Sequence, residues 1–97
     1  MKQNNDKAQG AQTILLISRK DGGISIRYNG ETVFSAAGDG SDAKTRQELL
    51  AALRETVLRM PPEEAAKVIE QGIAVDFAAP DLEEFIQNEA GINTRRA

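Results

Sequence analysis

The chain has 97 residues, the length of one ordinary domain, and 40% of them are hydrophobic while 28% are charged. This balance is typical of globular proteins. The chain contains no cysteine and no histidine, which excludes disulfides, thiolate and imidazole catalysis, and zinc sites of the Cys/His kind. No apolar run approaches the about 20 residues of a membrane-spanning helix, and the N-terminus lacks the apolar segment of a signal peptide. We therefore expect a cytoplasmic protein that does not contact a membrane.

Residues 1–11 are polar and show no hydrophobic periodicity, which predicts a flexible tail. We expect residues 12–93 to form a single α+β domain and residues 94–97 to form a second, short tail.

Three β-strands are predicted at the start of the domain. Residues 13–18 are a continuous run of β-forming residues, as expected for a strand that is buried on both faces. The dipeptides Asp21-Gly22 and Asn29-Gly30 predict two tight hairpin turns, because these residue types accept the positive φ that such turns require. Residues 24–28 and 31–36 then complete a three-stranded antiparallel meander.

The second hairpin also predicts a register. A two-residue loop pairs Tyr28 with Glu31, and counting from that pair sets Ile26 opposite Val33. The same count places Tyr28 and Phe34 on opposite faces of the sheet, which argues against an aromatic platform for stacking nucleic-acid bases.

Three helices are predicted in the rest of the domain. The first has an apolar stripe over residues 49–60 at helical spacing. The predicted helix boundaries are a cap at Asp42 or Thr45, the pair Pro61-Pro62, then Gly72, Pro80 and Gly91.

Residues 73–77, between the second and third helices, have two interpretations. Ile73, Val75 and Phe77 alternate with smaller or polar residues, which is compatible with a short strand or with an extended linker over the core. The predicted fold is α+β, a three-stranded antiparallel β-meander followed by three α-helices packed on the sheet.

The sequence offers no catalytic constellation. The acid pairs Glu63-Glu64 and Glu83-Glu84 are adjacent on helices, where neighbouring side chains point ~100° apart, so neither pair converges on a substrate. The loop at residues 38–42 lacks the Gly-Lys-Ser/Thr ending of a phosphate-binding loop, and its two aspartates would repel phosphate. We therefore expect no enzymatic activity, no cofactor and no metal ion.

The distribution of charge is the most informative feature. Residues 1–38 have a net charge of +2, whereas residues 61–93 contain eight acids and a single base, Lys67. Such a surface is either a solvated exterior that aids solubility or a docking surface for a basic protein. The candidate partner-binding residues are Glu63, Glu64, Glu70, Asp76, Asp81, Glu83, Glu84 and Glu89.

These features favour a small non-catalytic protein-binding regulator or inhibitor that acts through an acidic helical surface. As a class, compact acidic proteins of this kind resemble the inhibitors encoded by phages and other mobile elements, including those directed at nucleic-acid-binding complexes. One alternative is a homodimeric structural or assembly protein, in which the sheet or the first helix pairs with its copy. A second is a nucleic-acid-binding protein that uses a basic sheet edge with Arg19, Lys20 and Arg27. Direct nucleic-acid binding is less expected, because the third helix carries acids and no base and would repel phosphates.

Overall fold

The computed structural model describes residues 13–38 and 40–97, so the predicted tail over residues 1–11 lies outside the described residues. The elements in chain order are β1 (Leu15–Lys20), β2 (Gly23–Tyr28), β3 (Glu31–Ala37), α1 (Ala43–Arg59), α2 (Pro62–Gln71), β4 (Ile73–Val75), α3 (Pro80–Ala90) and β5 (Thr94–Arg96).

The sheet is mixed and has five strands in the order β3-β2-β1-β4-β5. Strands β1 to β3 form the predicted antiparallel meander, while β4 runs parallel to β1 and β5 runs parallel to β4. The prediction of a three-stranded sheet was therefore correct for one part of it only. Residues 73–75 form a strand rather than a linker, and residues 94–96, expected as a tail, form β5.

Long-range pairing holds these two short strands. The Asp76 amide donates to the carbonyl of Ile17 at 3.1 Å, and the Ile73 amide donates to the carbonyl of Asn93 at 2.8 Å. Strands of three residues are too short for a local pattern to identify, because their stability comes from neighbours distant in sequence.

Both predicted hairpin turns are present. Asp21 and Gly22 have φ values of 53° and 74°, and Asn29 and Gly30 have φ values of 50° and 88°. Positive φ at both central residues is the requirement of the two-residue turn that matches the twist of a hairpin.

The predicted register of β2 against β3 was wrong beyond the turn. Tyr28 pairs with Glu31 as expected, but a β-bulge follows and Ile26 pairs with Phe34 instead of Val33. One extra residue in a strand moves every later side chain to the other face. Phe34 consequently lies on the same face as Tyr28, and both pack against the core.

The hydrophobic core lies on one face of the sheet, beneath the helices. Alternate residues of the strands face this side, and they pack with one apolar stripe from each helix. The buried core residues are Ile14, Leu15, Ile17, Ile24, Ile26, Leu49, Leu53, Met60, Val68, Ile73, Val75, Leu82 and Ile86.

The opposite face of the sheet carries no helix among the described residues. It presents small and polar side chains, including Ser25, Arg27 and Ser35, with Leu16 half-buried among them. The prediction that β1 is buried on both faces is therefore correct only in part: Leu15 and Ile17 are buried on the helix side, whereas Leu16 and Ser18 on the other side are half-buried.

The helix ends follow local rules. Asp42 is the cap of α1, and its carboxylate accepts from the Thr45 amide at 2.9 Å. Pro62 and Pro80 are the first residues of α2 and α3, where a proline costs no hydrogen bond. Gly72 and Gly91 follow the ends of these helices with φ values of 87° and 72°.

Candidate functional site

The eight acids predicted to bind a partner do not form one uniform surface. Three of them make contacts within the fold: Glu64 with Tyr28, Asp76 with Ser18, and Glu83 with Arg96. The other five side chains belong to residues exposed on α2 and α3, namely Glu63, Glu70, Asp81, Glu84 and Glu89.

Glu64 connects α2 to the sheet. The Tyr28 hydroxyl donates a hydrogen bond to one of its carboxylate oxygens, and the Asn29 side-chain amide lies 3.4 Å from the other. The hydrogen bond to Glu64 raises the pKa of the Tyr28 phenol above its ordinary value of 10.0, and burial and the charge of Glu64 act in the same direction. Glu64 therefore has a structural role that its position in the sequence did not reveal.

Asp76 lies on the open face of the sheet, directly after β4. The Ser18 hydroxyl donates to its carboxylate at 2.7 Å, and this bond joins β1 to the residue that follows β4. Asp76 thus lies on a different face from the helices that carry the other acids.

Glu83 holds β5 against α3. Its side chain is 16% exposed, and one carboxylate oxygen lies 3.6 Å from the Arg96 guanidinium. That oxygen is buried and accepts no hydrogen bond within the described part of the chain. Glu83 therefore has a structural role, and a substitution of this residue would disturb the contact between α3 and β5.

None of the five remaining acids forms an ion pair within the described ranges. The two ion pairs found there are Arg59 with Glu55 and Arg96 with Glu83. The exposed acids of α2 and α3 outnumber Lys67, the one base of these two helices. We call these acids together the acidic helical surface and define it by Glu63, Glu70, Asp81, Glu84 and Glu89.

The basic residues of the nucleic-acid alternative are divided between the two faces of the sheet. Arg19 pairs with Ile24 and shares the helix-covered face, whereas Arg27 pairs with Leu16 on the open face. Arg27 also donates to the Gly30 carbonyl at 2.8 Å. Lys20 pairs with Gly23 at the end of β1. The strand geometry therefore gives no single basic face containing Arg19 and Arg27.

A cleft of about 190 Å³ opens where β1 and β4 end, and sequence reasoning did not identify it. The Arg19 guanidinium lies 5.8 Å from the ring centre of Phe77, and the Arg46 guanidinium lies 5.6 Å from that of Phe85. Asp81 contributes an acid to the same cleft. Strands β1 and β4 are neighbours, but the chain continues from β1 to β2 on one side of this pair and from β4 to β5 on the other. A crevice forms at the edge of a sheet where two adjacent strands continue in opposite directions in this way.

The described residues contain no cluster of three or more side chains suited to hold a metal ion. None of the helices in the described ranges has the length and hydropathy needed to cross a bilayer. No protein-family model matches the chain, and no curated protein matches it in sequence.

Proposed function

We propose that this protein is a small non-catalytic binding domain, a regulator or inhibitor, that meets a basic protein partner through the acidic helical surface. The observation that carries the proposal is that its five exposed acids have no cationic partner within the described ranges. Uncompensated charge of one sign raises the rate at which an oppositely charged protein arrives. A protein that normally holds nucleic acid has the required basic surface.

The acidic helical surface is independent of what holds the fold together. The side chains of Glu70, Glu84 and Glu89 project from exposed positions, and exposed charges contribute little to stability. The Glu89 carbonyl accepts from Arg54 at 2.8 Å, but that is a main-chain contact which a change of side chain keeps. Substitutions at these three positions can therefore change binding without changing folding. Substitutions of Glu64 or Glu83 would affect both.

The test is to capture the partner from a lysate of the source organism, identify it by mass spectrometry, and measure binding kinetics at two salt concentrations. We expect the triple variant Glu70→Lys, Glu84→Lys, Glu89→Lys to bind ~10-fold or more weakly at low salt, mainly through a slower association rate. Salt should also slow wild-type association, because exposed charges are screened beyond about 8–10 Å.

The matched control reverses the charge of acids on α1. Glu48 and Glu55 are exposed, and the double variant Glu48→Lys, Glu55→Lys should associate much faster than the double variant Glu84→Lys, Glu89→Lys, which has the same net charge. Equal association rates for all variants at both salt concentrations would contradict the proposal. Capture of nucleic acid instead of protein would favour the basic-edge alternative.

A further inference from the structure

Strand β3 ends the sheet, and no other strand of the described residues lies beyond it. We propose that β3 pairs with β3 of a second copy of this chain, antiparallel and around a two-fold axis at Ala36, so that two five-stranded sheets become one. The pairing surface is the regular part of the strand that follows the β-bulge.

The backbone of β3 determines which groups are free. The Gly38 amide donates to the Gly22 carbonyl at 3.0 Å, so that pair faces inward. Hydrogen-bonding direction alternates along an antiparallel strand, and Ala36 therefore also faces β2. The N–H and C=O groups of Ser35 and Ala37 then point away from the sheet.

These free groups are complementary to their own copies. With the axis at Ala36, Ser35 of one copy lies opposite Ala37 of the other, and each pair exchanges two hydrogen bonds. In this arrangement the N–H and C=O groups of Ser35 and Ala37, four groups in each copy, all form hydrogen bonds with the other copy. The axis is perpendicular to the sheet, so the helices of both copies lie on the same side.

The two edges of the sheet differ in their protection against such pairing. Strand β5 has three residues and two of them are Arg95 and Arg96, whereas β3 has seven residues with Glu31 as its only charge. Proteins usually protect an exposed edge with charges, proline or a bulge. The bulge at Val33 protects only the first half of β3.

The position of the only charge on β3 is compatible with a second copy as the occupant. With the axis at Ala36 the two Glu31 residues lie ten positions apart, roughly 34 Å, which is beyond the screening length of about 8–10 Å.

Sedimentation equilibrium of the full chain tests the proposal. Between about 10 μM and 1 mM, we expect the wild-type mass to rise from one chain towards two. Ser35→Pro removes an outward N–H and should weaken the dimer about ten-fold or more. Proline is tolerated on the free side of an edge strand, and circular dichroism checks that the variant folds. The control Ser35→Ala keeps the N–H and should dimerise like wild type.

Amide hydrogen exchange of the wild type gives a second, independent measurement. We expect the Ser35 and Ala37 amides to exchange several-fold more slowly at high concentration, while the Ala36 amide is unchanged. A chain that stays monomeric throughout overturns the proposal, even if another protein occupies the edge. A dimer that Ser35→Pro leaves intact, or that Ser35→Ala also abolishes, overturns it too. These tests leave the acids of α2 and α3 unaltered, so their outcome is independent of the proposed function.

Discussion

At the scale of single residues, Tyr28 provides a direct probe of the contact between the sheet and α2. It is the only tyrosine of the chain, and there is no tryptophan. Tyrosinate absorbance therefore reports one group. We expect Tyr28 of the folded protein to titrate above 10.0, because its hydrogen bond to Glu64 favours the protonated phenol.

The same contact makes stability depend on pH in a defined direction. The folded pKa is raised above the unfolded value, so the stabilisation is fully present below pH ~10 and is lost as pH rises through the raised pKa. We expect Glu64→Gln to lower the Tyr28 pKa, measured by absorbance titration. Glu63→Gln is the control and should leave it unchanged. Identical titration of the folded and urea-unfolded wild type would show that the contact is not formed.

Leu53 tests the position of the helical core stripe. It is 1% exposed and belongs to the core cluster, whereas Leu58 on the same helix is 84% exposed. We expect Leu53→Ala to cost about 2–5 kcal/mol through lost burial and a cavity. Leu58→Ala should change the stability by less than about 0.5 kcal/mol. Urea unfolding of the two variants measures the difference, and similar costs would mean that the apolar face of α1 is oriented differently.

At the scale of elements, Gly72 allows the residue before β5 to lie close to the end of α2, because glycine has no Cβ atom. It has a φ of 87°, and a Cβ atom there would lie 2.9 Å from the Asn93 carbonyl oxygen. Gly30 has a φ of 88°, but a Cβ atom there would meet nothing within 4 Å. The two glycines thus share a backbone constraint and differ in their surroundings.

We expect Gly30→Ala to cost about 1–3 kcal/mol through backbone strain alone. Gly72→Ala should cost more, because the Asn93 backbone must also move and it accepts the Ile73 hydrogen bond. Thermal or urea midpoints of the two variants measure this order. If Gly72→Ala were the milder change, the segment before β5 would not be held against α2.

At the scale of the whole molecule, the sequence predicted what local patterns determine. The turn dipeptides predicted both hairpins correctly. The proline and glycine residues and Asp42 predicted the helix boundaries. The bulge at Val33 was missed because no local signal accompanies it, and the resulting error reversed the predicted face of Phe34. Strand β5 was missed and β4 was left open between a strand and a linker, because the pairing of both strands depends on distant residues.

For the candidate site, the sequence predicted only the amino-acid composition and not the arrangement of the residues. The excess of acids over residues 61–93 is readable from the sequence, but the assignment of Glu64 and Glu83 to structural contacts requires tertiary structure. The cleft between Arg19 and Arg46 depends on the parallel arrangement of β1 and β4, which no spacing in the sequence indicates.

That parallel arrangement also bears on the order of folding. A hairpin closes a loop of two residues, whereas the Ser18 to Asp76 contact spans 58 residues. Loop-closure entropy grows as about 1.5 RT times the logarithm of loop length, so the β1–β4 contact costs roughly 3 kcal/mol more to form from the unfolded chain. We expect the meander to form early and β4 to join once α1 and α2 have shortened the intervening path. Until then the β4 side of β1 remains unpaired, which makes this interval the one most prone to aggregation.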